Sequence, residues 1–383
     1  MNVQSTIWLS WATAGVIGHW IVPSRFRDLY LIVFTLVFLY VYSPVSAGIL
    51  VTMTLVTYGL TRGRPVSGIS VTALGAAIVG TLAVFKITQR QIPMEPGAEF
   101  VIPLGLSYYA LRCLHYGIER YKGTLPDHNL FDFFSYQFFL PTIIAGPIHR
   151  FPEFYRDQHR RRWDAQKFSR GLERMLFGYV KIVVLGNFLV SQVFAEFVNN
   201  INESNAALFV YLDLLRHSLN LYFQFSGYSD VAIGLGMLFG FKVMENFNWP
   251  FLQKNISDFW KSWHISLTGW CREYIYMVVI ATRRSPTLAA ITTMLAIGFW
   301  HEISFRYFVW GVYHGLGVAA WQMFQRIKPQ LPTVRHPMLK RVLHLLSVLL
   351  TFHFVVFGFS IVQGPDLASA VQRWQTLFIS WWI

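Results

Sequence analysis

The chain has 383 residues, of which 54% are hydrophobic and only 13% charged, and its mean hydropathy is +0.41, too apolar for a water-soluble globular protein. Its formal net charge of +13 sits in short connections between apolar runs, not on one face or arm, which excludes nucleic acid as the natural partner and fits the positive-inside bias of a polytopic membrane protein.

Apolar blocks recur at 5–22, 28–43, 45–61, 69–88, 99–118, 131–148, 170–198, 206–240, 255–281, 286–301, 304–324 and 341–362, with an apolar tail ending in Trp381-Trp382. They predict an all-α membrane protein of about 10–12 helical elements, some too short or too polar to cross fully. The first block, with Trp8, Trp11 and Trp20, lacks a preceding Lys or Arg and is expected to stay as the first span. Leu29 to Thr61 carries no Asp, Glu, Lys or Arg, enough for two spans broken near Pro44. Arg25 and Arg27 follow span one, Arg62 and Arg64 follow span three, and the turn Tyr42-Ser43-Pro44 is uncharged, so the N-terminus is expected outside.

Block 131–148 contains Pro141-Thr142-Ile143-Ile144-Ala145-Gly146-Pro147, which cannot continue an ordinary helix and predicts a re-entrant element. The basic segment Arg150 to Arg174 follows, interleaved with Phe151, Phe154, Tyr155, Trp163 and Phe168. That pattern suits an interfacial helix on anionic head groups, and an anionic cytosolic donor would be drawn there too.

Cys113 and Cys271 lie in apolar stretches without CxxC or Cys/His ligand spacing, and His336, His344 and His353 lack the spacing of a helical metal pair, so no metal or disulfide is expected. From Asn255 to Met277, Asp258, Trp260, Lys261, Trp263, His264, Trp270, Arg272 and Glu273 crowd a stretch otherwise suited to the membrane. On a continuous helix Asp258 pairs with Lys261, and Trp260 shares a face with His264. Such a segment lines something wet, or anchors at head-group depth with its charges paired in water.

His301 follows Gly298-Phe299-Trp300 in an apolar helix, with Gly298 one turn earlier leaving room for a substrate. An imidazole there is either a structural donor or a general base for a hydroxyl, a role worth about 10² to 10⁴ in rate. His314 is a further candidate, although Gly311, Gly315 and Gly317 around it read first as close helix packing. Asp230, beside Ser229 in an apolar context, implies a buried Arg or Lys partner and a supporting role.

Pro141 to Arg150 (PTIIAGPIHR), Gly227 to Gly234 (GYSDVAIG), Glu245 to Phe251 (ENFNWPF), Asp258 to Leu267 (DFWKSWHISL), Arg272 to Tyr276 (REYIY), Gly298 to His301 (GFWH) and Trp310 to Gly315 (WGVYHG) occur in this order. Together, from about Pro103 to Gln322, they resemble the membrane-bound O-acyltransferase family, and within it the bacterial branch of alginate O-acetylation proteins and the teichoic acid D-alanyl transfer protein. The resemblance implies one integral membrane domain over 1–383, with spanning and re-entrant helices around a central funnel and a membrane-depth catalytic histidine at His301. It places the second catalytic histidine at His264, orienting or polarising the acyl carbonyl while His301 acts as general base or transient acyl carrier, and Trp260, Trp263 and Trp300 would shape a dry channel. Asp258, Arg272 and Asp230 are supporting candidates.

Two departures stand out. Trp300-His301-Glu302 replaces the usual Trp-His-Gly and sets beside the histidine a carboxylate that raises the imidazole pKa if it points inward. Arg272-Glu273-Tyr274 replaces Arg-Asp-Tyr, and the Pro-Leu-Gly-Gly that follows in the alginate branch is missing.

The resemblance implies an inner-membrane enzyme that passes an acyl group, acetyl by preference, from a cytosolic thioester (acetyl-CoA or an acyl-carrier protein) to hydroxyls of an extracytoplasmic polysaccharide or envelope polymer. No bound cofactor is expected. Expected partners are membrane lipids, an acceptor or SGNH-like acyl-relay protein, and a cytosolic acyl carrier. Alternatives are D-alanyl transfer to teichoic acid, a proton-coupled transporter or flippase using both histidines, and a scaffold of a secretion complex.

Overall fold

The structure, a computed structural model, describes residues 5–63, 65–91, 105–143, 146–201, 205–332 and 335–379. Arg64, Pro103 with the opening of block 99–118, Ile144-Ala145 and Trp381-Trp382 lie outside the described residues. The described residues form helices and turns with no strand among them, and one isolated antiparallel bridge joins Phe247 and Trp263. Among the described residues, four helices are long and apolar enough to cross a bilayer: Pro44–Thr61, Gly68–Thr88, Ala165–Asn199 and Pro337–Gln363. This is the all-α membrane architecture expected, with shorter helices among the spans.

The chain divides into two compact units, Met1–Tyr179 with Tyr228–Met244, and Val180–Gly227 with Glu245–Ile383. In the first, the uncharged run breaks as expected: helix Arg27–Tyr42 ends at Ser43, whose side chain accepts from Ser46 N (3.2 Å), and Pro44 opens helix Pro44–Thr61. The proline-rich segment also breaks. Helix Leu130–Gln137 gives way to a single 3₁₀ turn, Leu140–Thr142, and residues 146–150 are non-helical up to helix Phe151–Arg160.

Backbone freed from a helix at this depth needs partners inside the protein. Arg112, in helix Leu106–Lys122 and only 2% exposed, supplies them. It donates to the carbonyls of Tyr136 (3.0 Å), Gln137 (2.9 Å) and Thr142 (3.0 Å) and to Thr142 Oγ1 (2.6 Å). The Tyr136 hydroxyl donates to the His149 carbonyl (2.8 Å).

The basic segment departs from expectation. Phe151 and Phe154 are fully buried, with Phe154 stacked on Phe241 (4.8 Å, 17°), because these aromatics and Gln158 share one face of Phe151–Arg160 and that face turns to the core. Arg161 is buried against Asp28 (2.9 Å), while Trp163 stays exposed. Asp230 finds the basic partner expected of it, Arg174, at 2.7 Å.

In the second unit, Gln224 Nε2 donates to Asn187 Oδ1 (2.7 Å), joining the two apolar helices that bear them. Helices Pro286–His301 and Phe305–Ile327 form a tight hairpin. A Cβ added to Gly298 would fall 2.6 Å from the Tyr307 carbonyl oxygen, one on Gly311 2.9 Å from Leu295 Cα, and one on Gly315 2.8 Å from Ile291 Cα. Glycines at these points let backbones touch, the usual membrane solution to close helix packing.

Candidate active site

Asn255 caps helix Ile256–Ser262, its Oδ1 accepting from Asp258 N (2.8 Å). The helix stops at Trp263, which is extended, and His264 adopts φ 49°, ψ 51° before helix Ile265–Cys271 resumes. A left-handed residue other than glycine costs about 1–3 kcal/mol and persists only where its surroundings impose it. Here they do. Asn248 N donates to the Ser262 carbonyl (2.9 Å), Ile265 N to the Asn246 carbonyl (3.0 Å), and Ser266 N to Asn246 Oδ1 (3.1 Å). Asn246 is fully buried, and it satisfies two first-turn N–H groups that a new helix would otherwise leave unpaired.

The break aims the His264 ring into an aromatic pocket, 2% exposed, edge-on to Phe225 (4.6 Å, 85°) and facing Trp300 (5.8 Å, 61°). Trp300 in turn meets the ring of His301 (4.8 Å, 74°). His301 is the last residue of Pro286–His301, so its side chain leaves the helix end, and it is exposed. Its ring lies parallel to Tyr307 (5.7 Å, 21°) and edge-on to Trp310 (6.1 Å, 78°). Trp310 touches Trp260 (5.6 Å, 89°) and the buried His314 (4.7 Å, 53°). The result is one accessible imidazole held by rings on several sides, with a second imidazole buried behind Trp300. Such a group can take a proton from a hydroxyl brought to it.

Several sequence expectations change. Trp260 and His264 do not share a helical face, because the helix breaks between them, although Trp260 still reaches the site through Trp310. Gly298 leaves no room for a substrate, since the Tyr307 backbone fills its side of the helix. The Glu302 carboxylate is gripped through both oxygens by Arg306, one turn on (Nε–Oε1 3.2 Å), so its charge is matched by a guanidinium. Trp263 packs against Phe247, Phe251, Phe259 and Phe359 as part of an aromatic core.

Asp258 pairs with Lys261 at 3.0 Å, as its spacing predicts, and serves the helix start. Arg272 is exposed in the π-helical turn Arg272–Tyr276, and Asp230 belongs to the first unit. Around His314 the glycines are packing residues, as read: Gly317 abuts Phe354, where an added Cβ would approach to 2.4 Å. Sequence reasoning missed Asn246 and Tyr307. Asn246 lay in the polar run Glu245 to Asn248, but nothing local showed what it would clamp.

The chain is 36% identical over 283 residues to a probable alginate O-acetylase of Pseudomonas aeruginosa, covering 73% of this chain and 52% of that protein. It is 29% identical over 316 residues to a teichoic acid D-alanyltransferase of Bacillus subtilis, covering 76% and 77%. It is 27% identical over 303 residues to a peptidoglycan O-acetyltransferase of Helicobacter pylori, covering 71% and 56%. The chain thus spans about half the length of the alginate relatives it matches. The profile of the membrane-bound O-acyltransferase family, MBOAT, matches residues 81–364, a stretch that includes His264 and His301, and the chain belongs to that family.

Proposed function

We propose that this chain is an O-acyltransferase of the bacterial cytoplasmic membrane, N-terminus outside, whose residues 1–383 serve one activity. It passes an acetyl group from a cytosolic thioester to hydroxyls of an extracytoplasmic polysaccharide or envelope polymer, through an SGNH-like relay protein that carries the group to the final sugar. The observation that carries this reading is the exposed His301 ring at a helix end, backed by Trp300 and the buried His264.

In this reaction His301 accepts the proton of the acceptor hydroxyl as its oxygen attacks the thioester carbonyl. The carbon–sulfur bond then breaks, and the departing thiolate takes the proton from the imidazolium. His264, buried behind Trp300, is a positioning residue that fixes the tryptophan beside His301. Trp310 and Tyr307 orient the His301 ring.

A second reading is transfer of D-alanine to teichoic acid from a thioester-loaded carrier protein. It is favoured by the match to the Bacillus subtilis D-alanyltransferase, which runs along 77% of that protein. Mass analysis of polymer esters from cells lacking the chain, complemented with wild type or His301→Ala, separates the readings. Acetyl esters restored by wild type alone support the first, and D-alanyl esters the second. Full ester content with the variant at normal membrane abundance overturns both.

A further inference from the structure

In the first unit, helices Thr6–Ile21 and Ala165–Tyr179 and the end of Ala206–Leu238 leave between them an apolar groove of about 510 Å³. Its floor is buried, with Ala12 3%, Val16 5% and Leu238 5% exposed, while Ile17, Leu172 and Leu176 form open walls. The groove follows from local packing. Gly171 and Gly234 bring two of the helices into backbone contact, a Cβ on Gly171 falling 3.0 Å from the Gly234 carbonyl oxygen. Trp20 Nε1 donates to the Leu238 carbonyl (2.7 Å), which ties the third helix to them at one end. Along the rest of that helix the small side chains of Ala12 and Thr13 leave a furrow.

One end of the furrow carries a rim of another chemistry. Phe168, on the wall, meets Trp163 (4.9 Å), Trp163 meets Trp20 (5.1 Å), and the Arg27 guanidinium lies 4.7 Å over Trp20. Arg162, which is exposed, precedes Trp163 in the chain. Tryptophans with cations mark head-group depth, and on the orientation read from the loops this is the anionic cytoplasmic leaflet. From Phe168 to Tyr179 the groove runs eleven residues, about 16 Å at the helical rise. That is about half of a 30 Å hydrocarbon core, the depth of one leaflet. A partner spanning helix would need a face along the whole thickness, whereas a single lipid chain needs this much.

We propose that the groove is a binding site for one anionic phospholipid, with an acyl chain lying along Ala12 and Leu172 and its phosphate held by Arg27 and Arg162. It rests on the membrane reading of the chain and on the orientation read from its loops, and not on the acyl-transfer reading.

The test uses the full chain in nanodiscs of equal phosphatidylglycerol and phosphatidylethanolamine, released into mild detergent for native mass spectrometry. Wild type is expected to retain one phosphatidylglycerol, and Ala12→Trp, which fills the furrow, to retain none. Arg27→Gln and Arg162→Gln leave the furrow open and each lower the preference for phosphatidylglycerol about fivefold. These two decide the matter if Ala12→Trp does not fold. Equal retention of both lipids by wild type, unchanged preference in the arginine variants, or a lipid-free dimer that Ala12→Trp splits would overturn the proposal.

Discussion

Two of the helix interruptions among the described residues, at Leu140–Thr142 and at Trp263–His264, are held by opposite means. Around Leu140–Thr142 the problem is surplus carbonyls, and a buried guanidinium, Arg112, donates to three of them. At Trp263–His264 the problem is surplus N–H groups, and the carbonyl and side-chain oxygen of Asn246 accept two of them. In the first break the interrupted residues, Leu140 to Ile143 among them, are buried in packing. In the second a histidine is forced into a left-handed conformation against the tryptophan that touches an exposed histidine. A broken helix at depth is scaffold when it presents apolar side chains, and a candidate site when its strain is spent on orienting an imidazole.

His301→Ala should give the largest effect and the clearest separation of the two breaks: acyl transfer falls by about 10² to 10⁴ with thermal stability unchanged, measured on purified protein. If activity survives, the second break is scaffold as well. Arg112→Leu should act the other way, destabilising by about 3–5 kcal/mol by leaving buried carbonyls unpaired, read as loss of monodisperse protein on size exclusion. Arg112→Lys, with fewer donors, should fall between. Asn246→Leu should cost about 1–3 kcal/mol in stability and also lower transfer, because the His264 turn loses its clamp. A loss of stability alone would detach His264 from function. Asp258→Asn should be nearly silent, about 0.2–0.5 kcal/mol with activity retained, since its partner Lys261 is an exposed i, i+3 neighbour.

Much of this was legible in the sequence because it is local. The charge-free run split at Pro44, the proline-glycine cluster broke its helix, and Asp230 required a basic partner, which Arg174 provides. What stayed hidden depends on contacts distant in sequence. Asn246 acts eighteen to twenty residues away on a break that helical periodicity reads straight through, so Trp260 and His264 were expected on one face. Arg112 went unread, although a lone cation in the stretch Leu106 to Cys113 is a pattern that demands an internal partner. Gly298 misled because a missing side chain signals either open space or a touching backbone, and only the partner helix decides which.

The glycine-lined hairpin also bears on how this chain tolerates change. His301 ends one arm, only Glu302 to Ser304 separate it from the other, and Arg306 locks the corner through Glu302. The candidate ring therefore inherits its placement from about forty contiguous residues that dock on themselves. A substitution that shifts either arm of this hairpin would therefore move the imidazole, whereas one in the remoter helices would not.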